Sequence, residues 1–146
     1  MVRPLPHPTD VDAFARAYSE AWTRDPEMLV MFFSQDGTYT DVAMGTTYRG
    51  HQEILRFHRW MLKFAPDSVI EFAAPAAHDG NLYLQWLWSG SFGGPLKLRN
   101  GQIVSATGKE FAIPGVAVCQ YDADGKLAEH RDFWEVADLL EQLGHH

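Results

Sequence analysis

Cysteine is almost absent from this sequence: Cys119 is the only one among 146 residues. A single cysteine excludes an internal disulfide and any zinc site built on several cysteines. Cys119 lies in the strand-like run Val-Ala-Val-Cys-Gln-Tyr. We therefore expect a small buried side chain at this position rather than a nucleophile.

Basic residues are also scarce. Lys and Arg number 12 against 19 Asp and Glu, which gives a net charge of −7. This balance disfavours nucleic acid as a partner, because phosphates demand a basic surface. The longest apolar run, Met28–Phe33, is far too short to cross a bilayer, and the first residues have no apolar signal core. We expect a cytoplasmic protein that binds neither nucleic acid nor membrane.

Several motifs that carry chemistry are missing. The sequence contains no Gly-x-Ser-x-Gly elbow, no P-loop and no dinucleotide fingerprint. Outside the tail, no two histidines have the spacing His-x-x-x-His, so we predict no metal and no cofactor. His145 and His146 are consistent with the remnant of a purification tag and are left out of the functional interpretation.

Helical patterns dominate the first half of the chain. Thr9 or Asp10 can cap a first helix, and Asp25-Pro26 starts a short apolar one that runs to about Phe33. A third helix is predicted over about 51–64, after Gly50. The apolar stripe of the first helix comprises Val11, Phe14, Ala15, Tyr18 and Trp22. The stripe of the third comprises Ile54, Phe57, His58, Met61 and Leu62.

Strand patterns dominate the second half. His78–Asn81 and Asp122–Gly125 are hairpin signals, and each is flanked by two long strand-like runs. A turn is predicted at Asp36-Gly37, followed by a short strand over 38–42. Pro114 lies inside a long strand and indicates a bulge or an edge. These runs are Ser68–Ala77, Leu82–Phe92, Lys109–Tyr121 and Lys126–Trp134, before a last helix at about Glu135–Leu143.

This order predicts an α+β fold in one domain over residues 1–146, with helices packed on one side of an antiparallel sheet. The run Leu82–Phe92 is apolar on both faces, whereas a half-solvated strand would alternate. Helices cover one face, and a second copy of the chain is the natural cover for the other. We expect a strongly curved sheet, closed by helices into a cone with an apolar pocket.

The most informative segment is Leu127–Leu140, which resembles a strand that runs directly into an amphipathic helix. Strand alternation places His130, Asp132 and Trp134 on one face. A carboxylate on a face that points toward the core is either tied down by partners or kept for proton transfer.

The chain resembles the nuclear transport factor 2-like superfamily in two runs, Asp36–Gly45 and Tyr48–Phe57. Asp124–Glu135 and the following Leu-Leu-Glu-Gln-Leu-Gly resemble its SnoaL-like polyketide cyclase branch, as do Thr107–Phe111 and Trp22. The resemblance spans about residues 10–144. It implies the cone-shaped, cystatin-like fold with N-terminal helices on the concave side of the sheet. The same fold hosts isomerases, cyclases, dehydratases, hydrolases and non-catalytic modules.

The resemblance also implies site residues. Asp132 resembles the general base of SnoaL-like cyclases, and Asp41 occupies the position of the base in ketosteroid isomerases. Tyr18 stands where those isomerases hold an oxyanion, but the position of their second oxyanion donor is Ala117 here. We predict catalytic roles for Asp132, His130, Asp41 and Tyr18. The candidate ligand-contacting residues are Trp22, His58, Trp86, Trp88 and Trp134.

The predicted function is cofactor-free proton transfer on a small apolar carbonyl compound, as in polyketide cyclisation or isomerisation. Asp132 takes the proton, and His130 or Tyr18 stabilises the enolate. Three alternatives stay open. They are a non-catalytic small-molecule binder, a lyase, dehydratase or hydrolase that uses Asp41 and Asp132 together, and a dimerisation module for a partner protein.

Overall fold

Four helices and eight strands form within residues 4–144, the part of the chain that this computed structural model describes. His145 and His146 lie outside the described residues. The helices are α1 (Val11–Arg24), α2 (Pro26–Met31), α3 (Gly50–Phe64) and α4 (Val136–Gln142). The strands are β1 (Phe33–Asp41), β2 (Thr46–Arg49), β3 (Val69–His78), β4 (Asn81–Ser91), β5 (Leu96–Lys97), β6 (Ile103–Val104), β7 (Glu110–Tyr121) and β8 (Leu127–Phe133).

Six strands form one sheet in the order β2-β1-β8-β7-β4-β3, and β5 pairs only with β6. The predicted α+β architecture, a curved sheet closed by helices, is confirmed. One pairing differs from the antiparallel prediction, because β1 and β8 run parallel. The chain between these strands builds α3 and most of the sheet, so β8 returns beside β1 in the same direction.

The N-terminal helices follow the predicted stripes. Helix α1 buries Phe14, Tyr18 and Trp22, while Val11 is only half-buried. Asp10 occupies the N-cap position without a capping side-chain bond. In contrast, the Asp25 carboxylate accepts a hydrogen bond from the Met28 amide at 3.1 Å and caps α2. These stripes fix the helices on the inner face of the sheet.

Both predicted hairpins are present. Asp79 and Gly80 have φ angles of +52° and +79°, the left-handed values that a two-residue turn requires. The β7–β8 hairpin turns at Asp122–Gly125, where the Gly125 amide donates to the Asp122 carbonyl at 3.0 Å.

One local prediction needs correction, and the structure decides between the two options left open for Pro114. Asp36-Gly37 is not a turn but lies inside β1, where the pairing with β8 shifts register between Phe33 and Thr38. A Cβ at Gly37 would lie 2.8 Å from the Leu127 carbonyl oxygen, so glycine is required by close backbone approach. Pro114 does not form a bulge, since its register with β4 is continuous. It lies beyond the β7–β8 ladder, at an edge.

The main sheet has two apolar faces. On the inner face, Leu82, Leu84 and Trp86 are buried beneath the helices. On the outer face, Tyr83 and Leu87 remain 40% and 44% exposed. The predicted two-faced pattern of β4 is therefore present, and its cover by a second copy stays a prediction. No helix within residues 4–144 has the length and apolarity to cross a membrane.

Candidate active site

A cavity of about 930 Å³ lies between the inner face of the sheet and the helices. A volume of this size suits a small molecule, and its lining is mainly aromatic and aliphatic. Every tryptophan of the chain lines it: Trp22, Trp60, Trp86, Trp88 and Trp134. Four of these were predicted. Trp60 was missed, although it follows Phe57 by three residues on α3 and contacts its ring.

Asp132 points from β8 into this cavity, as strand alternation predicts. Its Oδ1 accepts hydrogen bonds from His130 Nε2 at 2.7 Å and Trp86 Nε1 at 2.9 Å. Its Oδ2 accepts one from the Tyr39 hydroxyl at 2.5 Å. An ionised carboxylate is an acceptor only, so three converging donors match the anion. They also fix its orientation in an apolar environment.

His130 is hydrogen-bonded to Asp132 and has no exposed surface. Its Nδ1 is 2.7 Å from the Tyr18 hydroxyl, so Tyr18, His130 and Asp132 form one chain of hydrogen bonds. Burial, the largest single influence, lowers the pKa of His130, but the charges of Asp132 and Cys119 and the hydrogen bonds to both together outweigh it and raise the pKa from 6.5 to about 10. A charged imidazole beside the carboxylate stabilises both groups.

Tyr18 does not reach the cavity, which differs from its predicted role as a ligand donor. It is fully buried, and burial raises the pKa of its hydroxyl well above 10.0. His130 is likewise absent from the cavity lining. Its position suits orientation of Asp132 rather than direct donation to a ligand oxygen, one of the two roles predicted for it.

Asp41 lies at the end of β1 and lines the same cavity. Its Oδ1 accepts hydrogen bonds from Trp134 Nε1 at 2.8 Å and from the Met44 amide at 3.1 Å. Burial raises the pKa of Asp41 from 3.8 to about 6, and the nearby charge of Asp132 adds to the rise. The two hydrogen bonds act in the opposite direction and are outweighed. Asp41 therefore exchanges protons close to neutral pH.

The two carboxylates are brought together by the parallel pairing of β1 and β8. Asp41 and Asp132 are direct register partners across these strands. Whether they face one cavity was left open by the sequence, and they do. Two carboxyl groups with different surroundings are able to divide the roles of acid and base between them.

Two further residues differ from expectation. His58 is buried away from the cavity, and its Nε2 lies 2.6 Å from the Trp22 carbonyl oxygen. It is not among the residues that line the cavity, and its hydrogen bond joins α3 to α1. Tyr39 was missed, although it precedes Asp41 by two residues on β1 and so shares its face. Within residues 4–144, no three His, Cys, Asp or Glu side chains gather as metal ligands.

The family model for a SnoaL-like domain matches residues 11–130 of the chain, a span that contains Tyr18, Asp41 and His130 and ends two residues before Asp132. No functionally curated protein matches the chain significantly.

Solved structures share the fold at low identity. A candidate SnoaL-like polyketide cyclase from Jannaschia sp. CCS1 is 16% identical with a TM-score of 0.77, over 98% of this chain and 96% of that one. A hypothetical protein with a ketosteroid isomerase-like fold from Catenulispora acidiphila is 20% identical, with a TM-score of 0.75 and coverage of 90% and 92%. A candidate hydroxylase from Streptomyces galilaeus is 22% identical, with a TM-score of 0.75 and coverage of 94% and 86%. These likenesses establish the fold alone.

Proposed function

The chain belongs to the SnoaL-like domain family, and on that premise we propose that it is a cofactor-free general acid/base enzyme acting on a small, largely apolar carbonyl compound. The reaction begins with removal of a proton from the carbon next to the carbonyl, as in polyketide cyclisation or isomerisation. One observation carries the proposal: Asp41 and Asp132 lie side by side in a single cavity lined by tryptophans.

Asp132 is the general base. It removes the proton from carbon, and the C–H electron pair moves to form the enolate, with the negative charge on the carbonyl oxygen. Tyr39, Trp86 and His130 hold the carboxylate in place, so little reorganisation is needed when it reacts.

Asp41 is the general acid. With a pKa of about 6, a substantial fraction of Asp41 carries a proton just below neutral pH, and that proton is donated to the developing enolate oxygen. This role replaces the one predicted for Tyr18, whose hydroxyl is bonded to His130 beneath the cavity. Asp41 then takes back the enol proton as the carbonyl reforms. In an isomerisation Asp132 returns its proton to carbon; in a cyclisation the enol carbon attacks a second carbonyl, whose C=O π bond breaks and whose oxygen takes the Asp132 proton.

A dehydratase or hydrolase is the second candidate, and the same pair of carboxyl groups favours it. Asp41 would protonate a leaving hydroxyl while Asp132 removes the neighbouring proton or activates water. A wide separation of the two acids would exclude a dehydratase or hydrolase, but Asp41 and Asp132 are register partners.

The first test is solvent deuterium exchange at the acidic carbon of 2-tetralone and benzoylacetone, followed by NMR. The wild-type protein should accelerate exchange, and Asp132→Asn should slow it by about 100-fold or more, the usual range for a lost general base. Asp41→Asn should slow it by about 10-fold or more. Asp124→Asn, an exposed change in the β7–β8 turn, is the matched control and should leave the rate unchanged.

The outcomes separate the candidates. Exchange that is indifferent to Asp132→Asn removes the base assignment. Loss of water from a β-hydroxyketone, without deuterium exchange on 2-tetralone and benzoylacetone, supports the dehydratase. Tight binding of these compounds with neither reaction supports a non-catalytic binder.

A further inference from the structure

The opening of the cavity carries three cations. A residue that both lines a cavity and is exposed to solvent lies at its mouth, and Arg56, Lys97 and Arg99 meet both conditions. They come from separate elements, with Arg56 on α3, Lys97 on β5 and Arg99 just beyond it. The mouth is thus positively charged in a chain whose net charge is −7.

These cations have no carboxylate partner. Within residues 4–144, none of the three lies within 4.0 Å of an acidic oxygen, whereas Arg24, Arg59 and Arg131 each form a salt bridge. One acid, Glu53, also lines the cavity near the mouth. Its Oε1 accepts a hydrogen bond from the Arg49 amide at 3.3 Å. The mouth therefore keeps an excess of unpaired positive charge.

Arg99 packs against Gly45, in the turn that follows Asp41. A Cβ on Gly45 would lie 2.7 Å from Arg99 Nε and 2.8 Å from Arg99 Cζ, so the guanidinium packs against the bare glycine backbone. Gly45 also has a φ of +71°, which glycine adopts readily. The preceding amide, that of Met44, donates to Asp41. Arg99 thereby covers the turn at the entrance, next to one of the two reactive carboxyl groups.

The charged residues divide the cavity into an inner zone and a mouth. The inner zone holds Asp41 and Asp132, and none of the buried residues that line it is a Lys or an Arg. The mouth holds two guanidinium groups and an ammonium, and guanidinium groups bind a carboxylate with two parallel hydrogen bonds. An elongated molecule with one anionic end is therefore oriented with that end outward and its apolar body inward.

We propose that the mouth is a carboxylate-binding subsite formed by Arg56, Lys97 and Arg99, and that the substrate is a keto acid whose carboxylate lies at the end remote from the reacting carbon. The identification of the keto acid as a substrate rests on the proposed function. The carboxylate subsite itself is testable by binding alone. The subsite also sets orientation, because it presents the apolar carbonyl end to Asp132.

Calorimetric titration with 2-naphthoate and with its neutral isostere 2-naphthamide tests the subsite. At low salt, 2-naphthoate should bind about 10-fold more tightly than 2-naphthamide, the size expected for two or three partly exposed charge contacts. Raising the salt concentration should reduce the ratio. Arg99→Gln should lower it about threefold, and the triple variant R56Q/K97Q/R99Q should bring it to one. The affinity for 2-naphthamide should not change.

Arg59→Gln is the matched control, since Arg59 lies on the same helix as Arg56 but is paired with Glu27 outside the cavity. All substituted side chains are exposed, so melting temperatures should stay at the wild-type value. Equal affinities for the two probes, or a preference for 2-naphthoate that survives the triple variant, would overturn the subsite. Deuterium exchange on neutral ketones is a separate readout. Deuterium exchange without a preference for 2-naphthoate would overturn only the carboxylate subsite. A preference for 2-naphthoate without deuterium exchange would overturn only the proposed enzymatic function.

Discussion

Asp41 and Asp132 are direct partners across the only parallel strand pair among the described residues, and both side chains open into the same cavity. The Val42 amide donates to the Asp132 carbonyl at 3.1 Å and fixes the two strand ends together. Three side-chain donors surround Asp132, whereas the pKa of Asp41 is raised to about 6 by burial. The pair therefore combines a carboxyl group held in place by three donors with one that changes protonation near neutral pH.

Tyr39→Phe removes the hydrogen bond to Asp132 Oδ2 and leaves the ring in place. A buried charged acceptor that loses its donor costs about 1.5–3 kcal/mol of unfolding free energy. Denaturant unfolding measures this loss, and Tyr83→Phe on the exposed outer face is the control. Equal stability of the two variants would show that the Tyr39 hydroxyl does not hold Asp132.

Gly115→Ala tests the placement of Trp86. A Cβ at Gly115 would lie 2.1 Å from Trp86 Cζ2, so the indole must move away, and its hydrogen bond to Asp132 is lost with it. We expect a loss of about 3 kcal/mol from overpacking and the broken bond, together with a shifted tryptophan emission spectrum. Gly93→Ala, where the nearest atom would be at 3.4 Å, should change neither quantity. An unshifted spectrum in Gly115→Ala contradicts the placement.

The charged His130–Asp132 pair makes the free energy of unfolding decrease as the pH becomes alkaline. The pKa of His130 is about 10 in the folded protein against 6.5 for a free side chain. A raised pKa means that the stabilisation is fully present below pH 6.5 and is lost as the pH rises through 10. Unfolding free energies measured across this range should fall by a few kcal/mol, an order of magnitude set by the shift.

Two histidine variants isolate the cause of that pH dependence. His130→Gln should flatten the profile, while His78→Gln, at an exposed position in the β3–β4 hairpin, should retain the wild-type slope. A wild-type profile that is already flat contradicts the charged pair.

Self-association through the outer sheet face remains a prediction. Tyr83, Leu87, Val116 and Phe133 all lie on that face and are about 40% exposed. We expect a homodimer of twice the 16.5 kDa chain mass, and L87K/V116K should convert it to a monomer because buried lysines oppose association. Ile103→Lys, which changes an exposed apolar side chain away from the sheet face, is the control. A wild-type monomer in sedimentation velocity contradicts the prediction.

Local patterns predicted the elements well. The stripe on α1, the Asp-Gly turn of the β3–β4 hairpin and the inward face of β8 depend on neighbours in sequence, and all were placed correctly. Asp132 was found in this way, because alternation places it on the same face as His130.

Long-range pairing explains the errors. Asp36-Gly37 has the composition of a turn, but it lies within β1, in the irregular stretch between the pairings of Phe33 and Thr38 with β8. The convergence of Asp41 and Asp132 depends on the same pairing of distant strands, which a sequence pattern does not specify. The resemblance to ketosteroid isomerases implied an oxyanion-holding role for Tyr18, yet its hydroxyl is bonded to His130 from the far end of the chain.

The most direct test of the account is the protonation of Asp41, followed by the carboxyl carbon signal of ¹³C-labelled aspartate in NMR. We predict a titration midpoint of about 6 in the wild-type protein, and a lower midpoint in Asp132→Asn because the neighbouring negative charge is removed. A midpoint near 3.8, the ordinary value for an aspartate, unaffected by Asp132→Asn, would contradict a shared cavity in which the two carboxyl groups act as acid and base.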